Sequence, residues 1–137
     1  MPITNSWADD SKTILINDFP RNWTWDEFVA AVLKGFELIH TVDHTVFVIA
    51  KDFTNTPKGN AMLAFKRVED FPPNLALLII QSASANSIGI RMINVFLRVY
   101  GRQAGKVIYV KSMDDAYRLI EKHQQRAQIK VQASQES

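Results

Sequence analysis

The sequence predicts an α/β domain: a mostly parallel sheet of four to five strands, four helices and an N-terminal antiparallel hairpin. Three observations predict it. Leu75-Ala-Leu-Leu-Ile-Ile80 is an uncharged apolar run, too short for a helix and without alternation, as a strand covered on both faces reads. Thr45-Val-Phe-Val-Ile49 reads the same way. The segments between such runs carry capping residues and helical spacing, and parallel neighbours require crossovers of that kind.

In chain order, 3–7 and 12–17 flank Ala8-Asp9-Asp10-Ser11, whose residues favour a tight turn, so a hairpin is expected with Thr13-Ile-Leu-Ile16 as its inner strand. Thr24-Trp25-Asp26-Glu27 has the spacing of a capping box, with Trp23 and Phe28 as its hydrophobic staple. The helix it opens is expected to run from Trp25 to about His40 and to bury Phe28, Val32, Phe36 and Ile39. After the strand at 45–49, Thr56-Pro57 reads as an N-cap with proline at the first helical position, opening a short helix to about Val68. The strand at 75–80 follows, then a helix over 86–100 stopped by Gly101. The last strand is expected at 106–111, and Ser112 caps a final helix to about Arg126. One domain over 1–126 is therefore expected, with 127–137 as a polar, disordered tail.

Composition narrows the function. There is no cysteine, which removes disulfides, thiolate nucleophiles and thiolate metal sites. No apolar run reaches transmembrane length, and Met1 to Trp7 lacks the charged-then-apolar build of a signal peptide. A cytoplasmic protein without stable membrane insertion is expected. Residues 1–85 carry seven Lys/Arg against ten Asp/Glu, whereas 86–137 carry nine against four. That asymmetry favours an acidic partner, an anionic headgroup or head-to-tail association, and is too small to indicate nucleic acid.

The chemistry-bearing residues form no catalytic set. His40 and His44 stand four apart, but the segment leaves a helix for a strand and no glutamate follows the first histidine. No metal site and no cofactor are expected. Ser87 lacks the preceding glycine of a nucleophile elbow, and the five glycines match neither phosphate-cradling pattern. His123 is expected on the exposed side of the last helix, without a partner. Two places remain. The loops beyond the carboxyl ends of the strands offer Asp52, Thr54, Thr56, Ser84, Asn86 and Ser87, which serve either to cap their own helices or to receive a small anion. The helix at 86–100 is apolar over well over half of its circumference, with Arg91, Asn94 and Arg98 as its polar stripe. Either neighbouring helices cover the excess, or Val95 and Val99 belong to a dimer interface, or Met92 and Phe96 line an apolar pocket with Trp25 and Phe36, near Arg91 or Arg98.

Trp23 to Phe28, then Val46 to Asp52 running into a Thr/Pro/Gly loop, then Met92 to Gly101, Lys106 to Val110 and Ser112 to Ala116 resemble the STAS superfamily. Within it the sequence resembles the SpoIIAA-like branch, often described with Sec14-type lipid-binding domains. The resemblance covers about Lys12 to Glu121 and rests on apolar patterns and caps. It implies successive right-handed strand-helix units and regulation by binding rather than catalysis. The family's phosphorylated serine follows an aspartate in the loop after the second parallel strand; here that loop has no Asp-Ser pair, Gly59 aligns with the glycine, and Thr56 is the nearest hydroxyl. The resulting expectation is a non-catalytic regulatory or protein-interaction module, a homodimer, with Thr56 as phospho-acceptor. The alternatives are a carrier of a lipid or other small apolar anion and, more remotely, an enzyme using the strand-end loops.

Overall fold

The computed structural model describes residues 2–54, 56–83 and 106–136. Five strands form one mixed sheet: β1 (Thr4–Trp7), β2 (Ile14–Asp18), β3 (Val46–Lys51), β4 (Leu75–Gln81) and β5 (Val107–Val110), in that spatial order. β1 pairs antiparallel with β2, and every other pairing is parallel. The hairpin turn is an Asx turn, with Asp9 Oδ1 accepting from the Ser11 amide at 3.0 Å and from the Ser11 hydroxyl.

Helix α1 (Trp25–His40) crosses from β2 to β3, and α2 (Ala61–Lys66) from β3 to β4. Both cover one face of the sheet, where Phe28, Val29, Ile39, Phe65 and Val68 pack with Leu15, Val48 and Ile80. Successive parallel strands laid down in one direction by right-handed crossovers put their connections on one side. Helix α3 (Met113–Glu136) covers the other face, setting Ala116 and Ile120 against Phe47, Ile49, Leu77 and Ile79. The doubly covered β3 and β4 are thus the two unalternating apolar runs. β4 also carries an irregularity: Val46 pairs with Leu75 but Phe47 with Leu77. The extra residue, Ala76, turns both itself and Leu77 toward the α3 face.

α1 begins as the capping box requires. The Glu27 amide donates to Thr24 Oγ1 and the Thr24 amide to Glu27 Oε1, each at 3.1 Å. α2 departs from expectation: its N-cap is Asn60, whose Oδ1 accepts from the Leu63 amide at 3.1 Å, rather than Thr56. The cause is local. Gly59 has φ +128°, outside helical backbone, and the Pro57 carbonyl is taken by the Trp25 indole N–H at 3.1 Å, so no helix propagates through 57–59.

α3 is capped by Ser112, whose Oγ accepts from the Asp115 amide at 3.1 Å. It continues to Glu136 rather than ending near Arg126. The stretch after Arg126 holds no glycine or proline and many good helix formers, so nothing in it stops the helix. Three helices are described; the expected fourth, at 86–100, lies outside the described residues. Among the described residues no helix is long and apolar enough to cross a membrane.

Candidate functional site

The carboxyl edge of the parallel strands is built around Gln81, the last residue of β4 and 4% exposed. Its Oε1 accepts from the Asp52 amide at 2.8 Å, and its Nε2 donates to the Lys111 carbonyl at 3.0 Å. One carboxamide therefore ties the end of β3 to the end of β5 across the strand between them. Two further bonds complete the edge: the Phe53 amide donates to the Gln81 carbonyl at 2.9 Å, and the Tyr109 hydroxyl to the Ser82 carbonyl at 2.7 Å. Asp52, at φ +58°, turns the chain out of the sheet here.

The loop that Asp52 opens is held by two tryptophans from the start of α1. The Trp23 indole donates to the Thr54 carbonyl at 2.8 Å and the Trp25 indole to the Pro57 carbonyl at 3.1 Å. Both rings belong to an aromatic cluster; Trp23 meets Phe19 edge-on at 5.0 Å and Phe53 at 5.2 Å, and Trp25 meets Phe65 at 5.5 Å. Such contacts fix the indoles and hold their N–H groups on the loop carbonyls. Gly59 lies against this cluster: a Cβ there would stand 3.2 Å from Trp25 Cδ1.

Between the start of α1 and the loop-α2 segment lies an open cleft of about 360 Å³. Trp25, Gly59, Leu63 and Ala64 supply apolar wall; Lys58 and Arg67 supply positive charge, and Arg67 stands 3.6 Å from Asp26. Beside it Leu63 is 59% and Met62 40% exposed.

Of the residues singled out in the sequence, Asp52, Thr54 and Thr56 lie together on this loop. The Asp52 backbone serves the sheet edge, the Thr54 hydroxyl donates to the Asp52 carbonyl at 3.4 Å, and Thr56 is half-buried. Trp25 and Phe36 do not share a pocket. They sit at opposite ends of α1, about 16 Å apart along its axis at 1.5 Å per residue, and Phe36 packs edge-on against Phe71. An enclosed apolar void under α1, lined by Phe28, Val32, Phe53 and Phe71 among others, measures about 20 Å³, the size of one water. Ser84, Asn86, Ser87, Arg91, Met92, Val95, Phe96, Arg98 and Val99 lie outside the described residues.

The histidines are dispersed. His40 ends α1 exposed to solvent, and His44 donates from Nε2 to the Lys12 carbonyl at 2.8 Å. His123 is half-buried, and its ring meets Phe47 edge-on at 5.4 Å; the expectation of a partnerless imidazole is corrected, because α3 turns that residue toward the sheet. Among the described residues no group of three or more His, Asp or Glu is placed to hold a metal ion. The two hydrogen bonds from Ser11 stabilise the Asp9 carboxylate and hold its pKa below its ordinary value.

Sequence reasoning missed Gln81 and Asn60. Gln81 carries a faint signal, a polar residue directly closing an apolar run, and Asn60 a clearer one, an N-cap type just after glycine. Comparison with family models, with curated proteins and with solved structures finds no match to this chain.

Proposed function

We propose that this chain is a non-catalytic, STAS-like interaction module of the cytoplasm that works by protein contact, as a homodimer. The carrying observation is the exposed apolar side of α2, Met62 and Leu63, beside a cleft with cationic and apolar walls. Contiguous exposed apolar surface flanked by polar groups is what interaction sites present, and a loop pinned by two indoles keeps that surface in one shape, which lowers the ordering cost of binding. Thr56, on the same loop, is where the family resemblance would put a regulatory phosphate.

Native and denaturing mass spectrometry of the purified protein tests the reading. A dimer without added mass, reverting to monomer in Leu63→Asp, is the expected result, and a bare monomer overturns it. A small molecule lost on denaturation would replace it with the carrier reading. An 80-dalton covalent addition would locate the regulatory phosphate, and Thr56→Ala should remove it.

A further inference from the structure

The surface charge around α2 is arranged by sign. Its exposed apolar residues, Met62 and Leu63, stand near the middle of the stretch 58–70. Lys58, exposed, lies ahead of the N-cap Asn60. Glu69 and Asp70, both exposed, follow the helix between the buried Val68 and Phe71. Two more cations lie between these ends. Arg67 stands 3.6 Å from Asp26 of α1, and Lys66 ends the helix exposed.

An apolar centre with a cation before it and two carboxylates after it is complementary to its own copy run antiparallel. A two-fold axis at the level of Ala64 sets residue 58 opposite residue 70 and residue 62 opposite residue 66. Lys58 then meets acid, the two Leu63 side chains come within one turn of each other, and the stem of Lys66 lies over the partner's Met62 with its ammonium in water. A parallel copy would set Lys58 on Lys58 and acid on acid. A foreign partner of one sign would be attracted at one end and repelled at the other, which favours a second copy as the occupant.

We propose that α2 docks antiparallel on α2 of a second copy, with Lys58 of each chain paired to Glu69 and Asp70 of the other. This rests on the homodimer reading of the same surface and adds its register and orientation. Two-fold dimers present one patch to itself, so every cross-pair is made twice. The apolar centre supplies the burial, and the charged ends select the antiparallel register over the parallel one.

Sedimentation equilibrium of the full chain at low salt tests the arrangement, since exposed ion pairs are screened at high salt. Lys58→Glu, and separately Glu69→Lys with Asp70→Lys, should each weaken the dimer about tenfold, because each change makes two symmetry-related contacts repulsive. All three positions are exposed, so the fold should tolerate the changes. An equimolar mixture of the two variants should recover the parent's affinity: in the mixed dimer one cross-contact is native and the other reversed in sign. Unchanged dissociation constants in both variants, with Leu63→Asp monomeric, overturn the antiparallel arrangement and leave the dimer standing. A mixture no tighter than its components does the same. A parent chain that is itself monomeric overturns the dimer and the arrangement together.

Discussion

Replacing Gln81 by leucine keeps the volume at the sheet edge and removes both bonds of the carboxamide, to the Asp52 amide and the Lys111 carbonyl. Each bond contributes about 1 kcal/mol net, and stranding a buried partner costs about 1–3 kcal/mol. Asp52 and Lys111 are exposed residues, so water recovers part of that penalty, and leucine gains some apolar burial. The expected loss is about 2 kcal/mol. For a chain of 137 residues that lowers the melting temperature by roughly 6–8 °C. Urea unfolding followed by tryptophan fluorescence measures it, with the emission of Trp23 and Trp25 reporting the loop that Asp52 opens. Gln81→Glu separates the two bonds. Its carboxylate still accepts from the Asp52 amide but repels the Lys111 carbonyl, so its folded pKa rises above the unfolded value of about 4.3. A raised carboxyl favours the protonated fold: the variant should approach normal stability below about pH 4 and lose it as pH climbs through the folded pKa. A leucine variant within about 0.5 kcal/mol of the parent chain, the range of ordinary surface substitutions, would refute the view that Gln81 holds this edge together.

Gly59→Ala should lose about 1–3 kcal/mol in the same unfolding assay, because φ +128° is a glycine conformation and the new methyl would press on Trp25. Asn74 donates to three carbonyls, those of Ile39, Val42 and His44, at 3.1–3.2 Å; Asn74→Asp sets a carboxylate against all three and should cost more than Asn74→Ala, by calorimetry near neutral pH. Thr24→Ala removes the capping box and should cost about 1 kcal/mol, read by circular dichroism during urea unfolding. The Asp9 contribution to the hairpin turn should be present above its ordinary range and disappear as pH falls through its lowered value; Asp9→Asn should abolish that pH dependence of the Ser11 amide shift.

What the sequence disclosed is what neighbouring residues decide. The capping box joins Thr24 to Glu27, three positions on, and the structure keeps it; the apolar runs of β3 and β4 record burial on two faces directly. The rest is fixed at a distance. Gln81 and Asn74 each bind backbone about 30 residues away in the chain, and a glutamine or an asparagine in a sequence carries no mark of such a partner. The start of α2 moved to Asn60 because a remote indole claims the Pro57 carbonyl. His123 is likewise half-buried through a contact with Phe47, far away in the chain, that helical spacing alone does not disclose. Within the candidate site, the loop after β3 was legible from its Thr/Pro/Gly composition, but the cleft beside it was not, since it needs α1 and α2 in contact.

The arrangement of the two faces has a consequence for how the chain is made. Each strand pairs with the one preceding it in the chain, and α1 and α2 lie between their strands, so the first face can close while synthesis proceeds. The second cannot. Phe47, Ile49, Leu77 and Ile79 are covered by Ala116 and Ile120, residues made after all five strands of the sheet. At about 5–20 residues per second, the wait between the end of β4 and the first turn of α3 lasts seconds, long compared with hydrophobic collapse. A chain stalled or cut before Met113 would carry an apolar sheet face with its described cover missing.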